Sequence, residues 1–187
     1  MWDLMAHDWI EIIGLTGGAI AFIVGLRQYA STQKWKTKEF VASEFDKFTS
    51  KREVRLALTL LDWRNREIEL FPQSETRYKE RFVVVTDDLL VSALAPHTES
   101  TGFDYKEAAL RDVFDEFLTA LERFDSFLES GLVKSSDLKP YFHYWIDVLS
   151  HDLREPVLSA LWKFVRAYNY QAVISFVQRL DGTVPSV

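Results

Sequence analysis

The residues of this chain with chemistry to offer are four histidines, several groups of acids and one glycine-rich apolar stretch. His7, His97, His143 and His151 are scattered, with neither an HExxH motif nor a His-x-His pair, so the spacing of a zinc site is missing. His143 stands among aromatics in "PYFHYWI" and reads as a core or interface histidine. Asp87 and Asp88 are adjacent, so on a helix they point in different directions and share no site. Asp112, Asp115, Glu116 and Glu122 fall on the polar side of a long amphipathic pattern and read as a solvated face. No serine lies in a GxSxG elbow, and no glycine-rich phosphate loop follows a strand. The chain has no cysteine, which removes disulfides, thiolate nucleophiles and thiolate metal sites. These residues point to a protein that is not an enzyme and carries no cofactor.

The glycine-rich stretch is "WIEIIGLTGGAIAFIVGLRQY", Trp9 to Tyr29. Its 15 residues from Ile12 to Leu26 are uncharged, yet Glu11 heads the run and four of the seven glycines lie in the stretch. Trp9 to Leu26 would make about 27 Å of helix, close to the roughly 30 Å of bilayer hydrocarbon. Trp9, Tyr29 and Trp35 would anchor it at the interfaces. The start is acidic (Asp3, Asp8, Glu11), unlike a cleaved signal, so the stretch reads as a permanent anchor. The competing reading is a buried core helix. Arg27, Lys34, Lys36 and Lys38 follow the span and no lysine or arginine precedes it. That asymmetry predicts a single-pass protein of the inner membrane, N-terminus out and C-terminus cytoplasmic. The same flank, Arg27, Lys34, Trp35, Lys36 and Lys38, would face lipid headgroups.

Within the span, Glu11, Gly14, Gly18, Ala21, Gly25, Gln28 and Thr32 step by 3 and 4 along one helical face. Small residues let helix backbones approach closely, so this stripe predicts a homo-oligomer. Glu11 would either reach to the interface or join the stripe. Ringed around water, such carboxylates would favour cations.

The elements beyond the span read as helix after helix. "EFVASEFDKF" carries the first helix on to about Thr49, and Ser50 with Glu53 suggests a capping box for a second. "RNREIELFPQSE" is a break. A third helical region runs from about Thr76 to Leu94, its valine triplet offering a short strand instead. Asp104 and Glu107 open the longest helix, to about Ser130, with Gly131 as its C-terminal cap. Its Leu110, Phe114, Phe117, Leu121, Phe124 and Leu128 form a packed seam, widened by Val113, Leu118 and Phe127. "SSDLKPYFHYWIDVLS", "REPVLSALWKFVRAYNY" and "QAVISFVQRL" give three more helices, Pro156 suiting a first turn. The expected architecture is all-α. It comprises a transmembrane anchor over 1–30, a juxtamembrane helix over 31–49, a cytoplasmic helical bundle over 50–180 and a flexible tail over 181–187.

Charge narrows the partners. Net charge is −6. Residues 27–66 hold ten basic and five acidic residues, whereas residues 67–187 hold twelve basic and twenty acidic ones. An acidic body argues against nucleic-acid binding of the usual basic kind. It also lacks the arginine followed four to six residues later by histidine that a HEPN ribonuclease needs; before His143 stands Lys139. The segments "RQY" (Arg27 to Tyr29), "QKWK" (Gln33 to Lys36), "EFVA" (Glu39 to Ala42), "LDW" (Leu61 to Trp63) and "YWI" (Tyr144 to Ile146) resemble a family of uncharacterised bacterial proteins with one N-terminal span and a helical domain. In architecture the chain also looks like the small membrane accessory proteins of CRISPR loci that form pores. That family assigns no activity, but the glycine-rich span points to a self-assembling single-pass membrane protein, a membrane-perturbing or pore-forming effector in stress or phage defence. The alternative is a membrane-tethered module docking a cytoplasmic protein.

Overall fold

The computed structural model describes the backbone of residues 2–72, 80–100, 102–150 and 155–185, and side chains of residues 18, 20–72, 80–100, 102–150 and 156–185. Helix α1 runs unbroken over Trp2–Ser50, followed by α2 (Arg52–Asp62), β1 (Arg66–Glu69), β2 (Phe82–Val85), α3 (Asp87–Ala93), α4 (Tyr105–Glu129), α5 (Ser135–Ser150), α6 (Glu155–Ala167) and α7 (Gln171–Arg179). The described chain is thus mostly helical, as the periodicity predicts, with one two-stranded antiparallel sheet. It divides into two compact units, residues 1–42 and 43–187.

The second unit is built around α4, which packs against α2, α3 and α7, while α6 packs on α3 and α7 and α5 on α7. The seam explains why. Leu110, Phe114, Phe117, Leu121 and Phe124 are all buried, and so are Val113 and Leu118, because the 3-and-4 spacing puts them on one stripe. Phe48 at the end of α1 meets Phe124 with ring centroids 5.5 Å apart. Phe124 meets Phe142 of α5 at 4.8 Å, and Phe142 meets Phe176 of α7 at 5.1 Å. Edge-to-face contacts of this kind add to the burial itself.

Local signals set the ends of α4. Asp104 accepts from the backbone N–H groups of Lys106 and Glu107, and Glu107 accepts from the N–H of Asp104, completing the expected capping box. Gly131 takes φ +71° and returns its N–H to the Leu128 carbonyl, the conformation for which glycine is suited. The box expected at Ser50 does not form. Lys51 caps α2 without a side-chain bond, and the Ser50 hydroxyl donates backward to the Lys47 carbonyl.

The helical region expected from Thr76 to Leu94 is the clearest difference within the body. Residues 73–79 lie outside the described residues. After them comes a strand, not a helix: Ile68 pairs with Val83 and Arg66 with Val85. Alternation decides it, since Val83 and Val85 are buried while Phe82 and Val84 face out. Thr86 then caps the short α3 by accepting from the Leu89 N–H. At the other end of the body, Thr183 donates its N–H to the Ser150 hydroxyl and Arg166 donates to the Pro185 carbonyl. Residues 183 and 185 thus hold contacts with the body.

The first unit overturns the membrane reading. Among the described residues, no helix is long and apolar enough to cross a membrane. The 15 uncharged residues between Glu11 and Arg27 give only about 22 Å of helix at 1.5 Å per residue, short of the roughly 30 Å that hydrocarbon requires. The single-pass inner-membrane placement is therefore not supported, and neither is the topology inferred from Arg27, Lys34, Lys36 and Lys38.

Candidate functional site

Among the described residues, polar side chains gather at several places in the body, and one stretch of α1 exposes apolar ones. The first polar cluster centres on Arg111. Two turns inside the cap of α4, its side chain is only 7% exposed, and among the described residues no carboxylate is one of its hydrogen-bond partners. Its Nη1 donates to the carbonyls of Ala93 and Ala95 at 2.7 and 2.8 Å, where the chain leaves α3. Nη2 donates to the Tyr168 hydroxyl at 2.7 Å and lies 3.3 Å from His97 Nδ1. The Phe103 ring covers the guanidinium at 4.0 Å, and Phe164 lies at 4.9 Å. The Tyr168 hydroxyl also contacts His97 Nδ1. The terminal nitrogens of the fork are thus engaged by carbonyls, a phenol and an imidazole. The cluster is a clasp joining the end of α3, α4 and the end of α6, and it leaves no open fork for a carboxylate or phosphate ligand.

The second cluster lines a recess of about 270 Å³ beside the end of α1. Glu44, 6% exposed, takes Lys47 on one oxygen and Arg123 on the other, both at 2.7 Å, and Lys51 pairs with Glu116. The buried acid is neutralised from both sides, so the recess offers neither a spare base nor an uncompensated cation hole.

The third cluster, a recess of about 210 Å³, contains His143, Asp147 and Ser150, which step by 4 and 3 along α5. These are the residue types of a nucleophile relay. The Ser150 hydroxyl accepts from the Thr183 N–H at 3.1 Å, and among the described residues no bond joins it to His143. Lys139 of the same recess pairs with Asp181. Among the described residues no three His, Asp or Glu side chains gather as metal ligands.

The acids expected on a solvated face behave unevenly. Asp112 is exposed, whereas Asp115, Glu116 and Glu122 are half-buried. Asp115 accepts from the Tyr170 hydroxyl at 2.9 Å. Burial, and then the Asp115 charge, push the Tyr170 phenol up to about 12. Asp125 is a buried acid whose Oδ1 has no hydrogen-bond partner, although Arg179 Nε approaches to 3.3 Å. Burial raises its carboxyl above the usual range, against the pull of Arg179. Arg111 and Asp125 were not singled out by charge pattern. Their signal is spacing: with Leu118 between them they recur every seven residues, one step from the seam.

No protein-family model, curated protein or solved structure matches this chain.

The stripe residues fall on the first half of α1. The side chains of Glu11 and Gly14 lie outside the described residues. Gly18, Ala21, Gly25 and Gln28 are exposed, as are Arg27, Lys34, Trp35, Lys36 and Lys38. A Cβ built on Gly18 or Gly25 meets nothing within 4 Å, so nothing described in this chain demands glycine there. Around them Ile20, Phe22, Ile23, Val24 and Leu26 stand 50–66% exposed, a contiguous apolar surface on one helix.

Proposed function

We propose that this protein is a non-catalytic, self-assembling scaffold, in which the first half of α1 joins copies of the chain and residues 43–187 are the folded body each copy presents. The observation that carries the reading is the exposure of Ile20, Phe22, Ile23, Val24 and Leu26. Isolated folded chains rarely leave so contiguous an apolar surface in water. The open space around Gly18 and Gly25 supports close approach by another backbone. The polar clusters of the body support the non-catalytic part, because their groups are committed to pairs that hold the fold. The pore reading has no support without a span.

Sedimentation of the full chain tests this. The natural chain should run as an oligomer at micromolar concentration. Phe22→Glu with Leu26→Glu should run as a monomer with unchanged helical content. A natural chain that sediments as a monomer would remove the proposal.

A further inference from the structure

Resting on that reading, we infer that the partner of α1 is a second copy running antiparallel, centred between Ala19 and Ile20. Charge along the continuous helix is the first reason. Residues 3–11 carry three acids and no lysine or arginine (Asp3, Asp8, Glu11), and residues 27–38 carry four bases and no acid (Arg27, Lys34, Lys36, Lys38). Between them lie the exposed apolar residues. A helix acidic at one end, apolar in the middle and basic at the other is complementary to itself only when turned round. Antiparallel copies set acids beside bases at both ends; parallel copies set Arg27 beside Arg27 and Lys34 beside Lys34. Like charges so placed select against the parallel arrangement.

Register follows from spacing. The steps from Glu11 through Gly14, Gly18, Ala21 and Gly25 to Gln28 are 3, 4, 3, 4 and 3, which read the same in both directions. Reversal about the midpoint therefore returns the same stripe, placing position 14 against 25, 18 against 21, and 11 against 28. The acidic block 3–11 then faces positions 28–36, and Asp3 falls opposite Lys36. Such a contact is isologous, each copy giving the same stripe to the pair. Small residues at its centre permit the short end of the usual helix spacing, about 8 Å between axes.

The absence of native cysteine makes the register directly readable. Copies with Glu11→Cys should form a disulfide with copies carrying Gln28→Cys when the two are mixed under mild oxidation. Neither variant alone should crosslink, because in this register the two residues 28 stand about 25 Å apart. Efficient crosslinking of Gln28→Cys alone would establish a parallel pair and overturn the inference while leaving self-assembly intact. A second arm reverses the charges. Arg27→Glu, Lys34→Glu and Lys36→Glu together should disperse the pair, and adding Asp3→Lys, Asp8→Lys and Glu11→Lys should restore it. Failure of that restoration, with helical content unchanged, counts against the antiparallel register. If the natural chain sediments as a monomer and instead copurifies with a protein of different sequence, both this inference and the proposed function fall.

Discussion

Compare the first half of α1 with α4. Each carries large apolar residues in number, yet Leu110, Phe114, Phe117 and Leu121 are at most 2% exposed whereas Ile20, Phe22, Ile23 and Val24 are at least 50% exposed. The difference lies in how the polar residues are arranged. Helix α4 interleaves its seam with Asp112, Glu116, Glu122 and Arg123, so one stripe goes inward and the chain itself can cover it. Residues 20–26 of α1 hold no polar side chain at all, so no orientation of that helix satisfies both water and core. Amphipathicity makes a helix self-sufficient within its domain; uniform hydrophobicity makes it depend on something else.

The sharpest way to break this contrast is to truncate one residue in each region. Leu121→Ala should destabilise the body by about 2–5 kcal/mol in chemical denaturation, through lost contacts and a cavity. Phe22→Ala should shift that unfolding by no more than about 0.5 kcal/mol, while weakening self-association. Equal losses of stability would show the two helices to be the same kind of element.

Arg111 asks whether a polar residue can be as much a part of the α4 core as the seam. Arg111→Leu should cost about 3 kcal/mol, since it strands the carbonyls of Ala93 and Ala95 and the Tyr168 hydroxyl. Arg111→Lys should recover only part of this, lacking the planar fork that bridges both carbonyls and stacks on Phe103. A smaller effect comes from the cap: Asp104→Ala should lower stability by about 1 kcal/mol, read as a lower melting temperature.

The smallest concerns alkaline pH. The folded pKa of Tyr170, about 12, lies above its ordinary 10.0, so between these values the unfolded chain loses a proton that the folded chain keeps. Stability from this group is fully present below pH 10 and is lost as pH rises towards 12. Tyr170→Phe should flatten that part of the stability profile.

Much of the body was legible because its signals are local or periodic. Asp104, Glu107 and Gly131 mark the ends of α4 through bonds to near neighbours, and the seam follows from spacing alone. The hairpin was less legible. Its strands are four residues each and their partners lie across residues 73–79, so pairing is decided at a distance and the valine triplet fits either period. Arg111 was hidden for a related reason: on a helix rich in charge, its role depends on carbonyls contributed by the chain after α3. The span misled because its flanks carried the marks of a membrane boundary while the run between them was too short.

Gly182 carries a consequence for the end of the chain. A side chain there would come within 2.5 Å of a Val177 methyl and 2.7 Å of Ile146 and the Ser150 hydroxyl. The corner between α5 and α7 is thus closed by a residue with no side chain at all. Any larger residue at position 182 must push the Val177 and Ile146 methyls aside, so the contacts of Thr183 and Pro185 depend on this position staying bare.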